Sequence, residues 1–327
     1  MKVEYPKRIS FANLPTRIEE LNSLSKTLQG PSIWMKRDDL TGCATSGNKI
    51  RKLEFVIADA LEHKADILIT CGWVNSNHAR ATAVIAKKMG MESILLLRGE
   101  KPSVMHGNLF LDKLVGADIR YLSPAEYERR HEIMAEIVAE LKKKNRVGYP
   151  IPAGATYPVG IWGYIKAADE IKNQSTDFDA ILVPVGTGGT YAGLFIGKKL
   201  FDLKAEIYGV NVEEDEDYYR ERITEIIEEW NRSFHQPISY SREEIRIIDG
   251  YQGKGYSQFG RNEIEVIKLL ARTEGIILDP VYTAKAMRGL IEEVKNGRFN
   301  KNEKILFIHT GGIFGLLSRV EEMGDLL

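Results

Sequence analysis

Cysteine is scarce: Cys43 and Cys71 are the whole supply in a chain of 327 residues. Two thiols build neither a disulfide framework nor a metal site with cysteine spacing. Charge of one sign is missing too, since 45 Lys and Arg stand against 46 Asp and Glu for a net of −1. That balance supplies no field to draw in nucleic acid or an anionic membrane surface. No run reaches the ~20 apolar residues that a membrane span needs. The opening Met1-Lys2-Val3-Glu4-Tyr5-Pro6 carries no apolar secretory core. Fixed-period repeats and low-complexity tracts are absent as well. These absences exclude a disulfide-stapled secreted domain, a nucleic-acid binder and a membrane protein. They leave a cytoplasmic, enzyme-like chain as the expectation.

What the chain does have is an ordinary globular composition, 43% hydrophobic and 28% charged. Its length suits two domains or one large α/β unit. Residues 17–28 read as a helix and 32–36 as a strand, followed by a loop carrying Gly42, Gly47 and Lys49. A helix over 48–63 shows Leu53, Val56, Ile57, Ala60 and Leu61 on one face. Apolar strands at 66–70, 93–97 and 118–122 then alternate with helices at 76–89, 109–114 and 126–144. After a Pro/Gly connector at 150–155, helices at 159–173, 192–200, 217–233, 263–274 and 280–296 are interleaved with strands at 179–185, 206–212 and 304–309. Alternation of continuous apolar strands with helices predicts parallel sheets covered on both faces. The expected division is a small inserted α/β domain over 53–150 and a larger domain from 1–52 plus 151–327.

Four stretches could carry chemistry. Ser46-Gly47-Asn48-Lys49 sets a lysine at a turn between strand and helix. Lys49 is either a solvated surface amine or a buried one whose lowered pKa readies it for an imine with an aldehyde. Val185-Gly186-Thr187-Gly188-Gly189-Thr190 follows an apolar strand and opens a helix. Its backbone N–H groups and the helix N-terminus make a phosphate cradle, although it lacks the Gly-Lys-Ser/Thr ending of a Walker loop, and Tyr191 stands where a Rossmann loop has its third glycine. Asn75-Ser76-Asn77-His78 lies where open α/β sheets bind ligands, and it reads equally as a helix cap. Asp279-Pro280 reads as helix punctuation, His309 as a satisfied core imidazole and 213–217 as a solvated acidic face. Trp73 draws notice because it precedes the polar turn. A reactive lysine and a phosphate loop on one parallel sheet together suggest pyridoxal 5'-phosphate, whose aldehyde needs the first and whose phosphate needs the second.

With Ser-Gly-Asn-Lys-Ile-Arg-Lys-Leu-Glu at 46–54, Asn-Ser-Asn-His at 75–78, Gly-Thr-Gly-Gly-Thr at 186–190, the run 271–285 through Asp279-Pro280-Val281-Tyr282-Thr283-Ala284-Lys285, and Phe307-Ile308-His309-Thr310-Gly311-Gly312, the chain resembles the aminocyclopropane-carboxylate deaminase/D-cysteine desulfhydrase family. The likeness runs from about Arg17 to the C-terminus. It implies the tryptophan-synthase β-like fold of fold type II pyridoxal-phosphate enzymes: two open, twisted, mostly parallel sheets covered by helices. It implies that Lys49 bonds the cofactor aldehyde, that Gly186, Thr187, Gly188, Gly189 and Thr190 hold the phosphate, and that Asn77 bonds the ring's phenolic oxygen. Thr283 and Thr310 complete the cofactor set, and Lys52 stands nearby in support. Lys49, Ser76, Tyr256 and Tyr282 are the implied catalytic side chains, and Trp73, Asn75, Ser76, Asn77 and His78 the implied substrate-side ones. The chain departs from the family pattern where Asn75 replaces a usual Gln, Thr283 replaces the Glu of true deaminases, and Trp73 replaces smaller residues. A hydroxyl at 283 keeps the pyridine nitrogen protonated less well than a carboxylate, which favours β-elimination over ring opening. The implied activity is β-elimination from D-cysteine to pyruvate, ammonia and hydrogen sulfide. Aminocyclopropane-carboxylate deamination, cysteate cleavage and non-catalytic binding of a phosphate ligand are the alternatives. A homodimer is expected.

Overall fold

The computed structural model describes residues 3–174, 177–253, 255 and 257–324. Among them ten strands form two sheets: β1 (Ile18–Glu20), β2 (Ser32–Lys36), β3 (Ile67–Trp73), β4 (Glu92–Arg98), β5 (Asp118–Leu122), β6 (Gly148–Ile151), β7 (Ala180–Val185), β8 (Glu206–Asn211), β9 (Arg246–Ile248) and β10 (Lys304–Ile308). The six-stranded sheet runs β1-β2-β10-β7-β8-β9 and the four-stranded sheet β5-β4-β3-β6. Every pairing is parallel except β1 with β2. Parallel strands need crossovers, which the intervening helices provide. The central strands are buried on both faces, and this explains their unbroken apolar runs, as in β7, where all six residues are buried.

Three short strands depart from the sequence expectation. Residues 18–20 pair antiparallel with β2, with Ile18 opposite Lys36 and Glu20 opposite Trp34, so only Asn22–Leu28 is helical. Gly148–Ile151 is a strand rather than a connector, and its register sets Pro150 beside Ile69. Proline lacks an N–H, but β6 is an edge strand and its outer side needs none. The three-residue β9 closes the other edge of the large sheet. The predicted helix over 126–144 is two helices, Pro124–Glu128, started by a Ser123 capping box, and Arg130–Lys143.

The helix Lys49–Glu62 is buried on nearly all sides, Ile50 through Ala58 without interruption, instead of on a single face. It packs against helices Pro158–Asn173 and Asn77–Lys88. Arg51 and Glu54 on this helix are therefore paired inside the protein. Arg51 meets Asp38 at 2.7 Å and Glu170 at 2.9 Å, and Lys36 meets Glu170 at 2.7 Å. Glu54 accepts from the backbone N–H of Phe11 and Ala12 and pairs with Arg8. The network fixes the helix that begins at Lys49.

Candidate active site

The C-terminal ends of strands from both sheets open onto one cavity of about 130 Å³. Trp73, Ser76, Asn77 and His78 reach it after β3, Gly186, Thr187, Gly188 and Thr190 after β7, Glu213 after β8, and Thr310 and Gly311 after β10. This is where open parallel sheets bind ligands, because loops diverge there and helix N-termini point inward. Asn48 and Lys49 complete the wall.

Lys49 is the first residue of its helix, and its remaining surface lines the cavity. Burial lowers its pKa to about 8. Lys52, one turn further, is fully buried and donates to the Gly154 carbonyl at 3.1 Å. Burial first, and then the Lys49 amine, push it well below the ordinary lysine value. The loop before Lys49 is stitched to the end of β10 by an Asn48 N–H donating to the Thr310 carbonyl at 3.0 Å. There the backbones of Gly47 (φ +105) and Gly311 (φ +89) approach so closely that a Cβ on Gly311 would lie 2.6 Å from the Gly47 Cα. Only glycine suits that contact.

The glycine loop opens helix Gly189–Phe201, with Gly188 left-handed at its N-cap. A Cβ on Gly189 would stand 2.8 Å from both the Lys52 Nζ and the Thr156 Oγ1. Thr190 accepts from the Asn48 amide at 3.0 Å, and the Thr187 and Thr156 hydroxyls bond at 2.6 Å. Gly189 lies behind the wall rather than on it. Ser76 caps the next helix, accepting from the Ala79 N–H at 3.2 Å, and also faces the cavity. The Asn77 Oδ1 accepts from Asn108 at 3.0 Å, which leaves its NH₂ as the donor end at the cavity. His78 is buried and bonds Thr70 through Nε2 at 2.8 Å. Tyr282 stands over Gly186, where a Cβ would be 3.1 Å from its ring. Asp279 holds the backbone there, accepting from the N–H groups of Val281, Tyr282 and Thr283.

Several expected residues lie elsewhere. Thr283 is fully buried, and its hydroxyl donates to Asp279 at 2.7 Å, so it is not on the cavity wall. The helix that begins at Thr283 turns its first side chain back to the capping carboxylate. Asn75 lines an adjoining cavity that shares Trp73, Asn77 and Tyr282 with the first, and its carbonyl accepts from Asn108 at 2.8 Å. Tyr256 lies outside the described residues. His309 is a satisfied core imidazole: Nδ1 accepts from the Gly311 N–H and Nε2 faces the Ile277 carbonyl at 3.0 Å.

Other wall residues were not anticipated. Glu213, read with its acidic neighbours as a solvated face, is half-buried at the cavity. Burial raises its pKa, Glu214 adds to the rise, and Arg98 and Lys285 oppose it. Its signal was position, two residues beyond the end of an apolar strand. Cys71, Tyr127 and Gly154 also line the cavity, and the Arg98 guanidinium sits 4.4 Å from the Trp73 ring centroid.

A fold of two parallel sheets with a desolvated lysine opposite a glycine-rich helix start defines a class, and comparison agrees. A family model described as pyridoxal-phosphate dependent enzyme matches residues 9–311, and the chain belongs to that family. Within it the chain falls with the aminocyclopropane-carboxylate deaminases and D-cysteine desulfhydrases. It is 40% identical to the mitochondrial bifunctional D-cysteine desulfhydrase/1-aminocyclopropane-1-carboxylate deaminase of Arabidopsis thaliana over 97% of this chain and 81% of that one. It is 36% identical to the D-cysteine desulfhydrase of Yersinia pestis (strain Pestoides F) over 93% of each. The crystal structure of an ACC deaminase homologue superposes with a TM-score of 0.91 at 37% identity, covering 99% of this chain and 97% of that one. The fold is therefore that of fold type II enzymes, the cofactor is pyridoxal phosphate, and the reading as a non-catalytic phosphate binder is set aside. No helix among the described residues is long and apolar enough to cross a membrane.

Proposed function

We propose that this chain is a β-eliminating lyase for a small amino acid, with D-cysteine as the substrate and pyruvate, ammonia and hydrogen sulfide as products. The observation that carries this reading is that Lys49 and the glycine loop share one cavity, while burial depresses both Lys49 and Lys52 and, among the described residues, no carboxylate offsets either amine. Buried amines without a carboxylate suit an anionic ligand. The residues thus fit the cofactor. Lys49 would bond its aldehyde, Gly186 to Thr190 would receive its phosphate, and the donor end of Asn77 would meet its phenolic oxygen. Bound there, pyridoxal phosphate supplies a ring that takes up the electron pair of a broken Cα bond.

The protein's own groups do the rest. An amine with a pKa of about 8 is uncharged often enough near neutrality to take the substrate's α-proton at Nζ. Ser76 meets the substrate carboxylate at the start of its helix, where the partial positive charge favours an anion. The Tyr282 hydroxyl gives a proton to the departing sulfur. Trp73 and Tyr282 line both this cavity and the adjoining one, and their rings take up room that a larger substrate would need. At position 283 there is no carboxylate, and the threonine hydroxyl is committed to Asp279, which supports elimination over ring opening.

One observation favours the deaminase reading instead. Glu213 is the acidic wall residue among the described residues, and its raised pKa lets it share a proton with a ring nitrogen. Glu213→Gln is expected to leave sulfide release from D-cysteine within about twofold, whereas a loss of about a hundredfold in ring opening would mark Glu213 as the acid partner. The decisive assay offers D-cysteine, L-cysteine, cysteate and aminocyclopropane carboxylate side by side and scores sulfide, sulfite, pyruvate and 2-oxobutanoate. Borohydride reduction followed by peptide mass spectrometry is expected to leave the cofactor on Lys49, and Lys49→Ala to lose both the visible absorbance of lysine-bound cofactor and turnover. Label on another lysine would sink the assignment.

The proposal includes the expected division, with 53–150 inserted into a larger domain, supported by a four-stranded sheet whose strands all lie within 67–151. It includes a cytoplasmic setting, with which the free thiols of Cys43 and Cys71 agree. It includes a homodimer, which size-exclusion chromatography with light scattering tests.

A further inference from the structure

Beside the catalytic cavity lies a second one of about 250 Å³, and the two share Trp73, Asn77 and Tyr282 as walls. Two of the three departures from the family pattern, Trp73 and Asn75, stand on it. Arg98, the last residue of β4, is half-buried against it. Its guanidinium lies 4.4 Å from the Trp73 ring centroid and 5.9 Å from that of Tyr127. Stacking engages the flat face of a guanidinium and leaves the N–H groups in its plane to other partners. Among the described residues Arg98 has no such partner, neither a hydrogen bond nor an ion pair. The other charges around the cavity are already engaged. The Asp279 carboxylate accepts from the N–H groups of Val281, Tyr282 and Thr283 and from the Thr283 hydroxyl. Arg319 pairs with Glu322 at 2.9 Å and donates to Ser257. Glu213, on the catalytic cavity, feels the field of Arg98 without forming an ion pair with it. Asn75 adds a neutral donor, because its Oδ1 accepts from the Leu109 N–H at 3.4 Å and its NH₂ is the end left over. A cationic fork and an amide donor, with no unspent carboxylate on the same wall, suit a small oxyanion.

We infer that this cavity is a second ligand site, which takes the carboxylate of a small organic acid on Arg98, with Asn75 as a further donor. No bond is made or broken there. Because its walls are shared with the catalytic cavity, the acid it holds is the substrate before it reaches Lys49 or the oxo acid after it leaves. Both carry the carboxylate that Arg98 would bind, and the test separates them. The site itself stands on the cavity and on Arg98, whereas its use by substrate or product rests on the proposed elimination.

The test uses full-length holoenzyme with pyruvate as the probe, titrated by calorimetry at low salt and without substrate. The parent is expected to bind it. Arg98→Met, which still covers Trp73 but carries no N–H, should weaken binding about tenfold or more, as fits loss of a charged hydrogen bond. Arg98→Lys keeps the charge without the fork and should fall between the two. Ser76→Ala should leave the affinity within about twofold, because Ser76 lines the catalytic cavity and not this one. Steady-state kinetics then assign the ligand. A site for substrate shows Arg98→Met raising KM for D-cysteine at unchanged kcat. A site for product shows KM unchanged and inhibition by added pyruvate lost. Either result supports the site. No binding of pyruvate by the parent, equal affinity in the parent and Arg98→Met, or a loss confined to Ser76→Ala overturns it. Should Arg98→Met not fold, Arg98→Lys with the parent's Tm decides by the same comparison. A protein that binds pyruvate through Arg98 yet releases no sulfide from D-cysteine would lose the proposed function and keep this site.

Discussion

Asp112 shows how far burial can override a formal charge. It has no exposed surface, and neither carboxylate oxygen has a hydrogen-bond partner among the described residues. Burial raises its pKa from 3.8 to about 8 against the pull of Arg80. Burial also lowers Arg80 to about 10, and Arg80 makes its hydrogen bonds to Asn108 and to the carbonyls of Ala44 and Ser46. Each group thus loses more from desolvation than it gains from the other, and Asp112 is a carboxylic acid at neutral pH. Because the folded pKa lies above the unfolded one, the contribution to stability is complete below pH 3.8 and is lost as pH rises to about 8. The slope across that window is about 1.4 kcal/mol per pH unit. Asp112→Asn removes the slope. Urea unfolding at about pH 6 and about pH 9 is expected to show the variant gaining on the parent as pH rises. A variant that falls further behind at the higher pH would mean an ionised Asp112 paired with Arg80.

At the scale of elements, helix Lys49–Glu62 is the piece whose position decides the site. Its sequence showed a helix with one apolar face: the helix is there, with Leu53, Val56, Ile57 and Ala60 buried as expected and Leu61 exposed. What the pattern could not show is that Arg51, Lys52 and Glu54 on the other faces are also buried, because their partners come from other segments: Asp38 and Glu170 for Arg51, Gly154 for Lys52, and Arg8, Phe11 and Ala12 for Glu54. Arg51→Met leaves Asp38 and Glu170 with one cation fewer in a dry site, and breaking a buried pair in this way costs about 3–5 kcal/mol. Denaturant unfolding should show that loss, and the visible absorbance of bound cofactor should weaken with it as Lys49 shifts. Adding Asp38→Asn should recover part of the stability. A loss under about 1 kcal/mol would show the network to be replaceable packing. The three-residue strands β1 and β9 were illegible for a related reason. So short a segment has no periodicity of its own, and it becomes a strand because the sheet edge offers it partners.

For the whole molecule, the alternation of apolar strands and helices made the parallel architecture legible, and the glycine loop with Lys49 made the cofactor legible. Glu213 was hidden in an acidic run because composition does not reveal which carboxylate turns inward at a strand's end. Both sheets contribute strand ends to one cavity, so a ligand there touches the four-stranded sheet through Ser76 and Asn77 and the six-stranded sheet through Gly186, Thr187 and Thr310. A ligand that binds only the folded form stabilises it by mass action, by about 2.7 kcal/mol at a hundredfold excess over Kd and about 4.1 at a thousandfold. Because its contacts lie on both sheets, that stabilisation should reach both. Thermal unfolding of cofactor-stripped protein is expected to move upward with added pyridoxal phosphate in a single transition. Hydrogen exchange should slow together at the ends of β3, β7 and β10. Lys49→Ala should retain the phosphate-dependent part of the shift and lose the rest. Protection confined to β7 and β10, with β3 unchanged, would show that the cofactor is held by the large sheet alone and that the small sheet meets only the substrate.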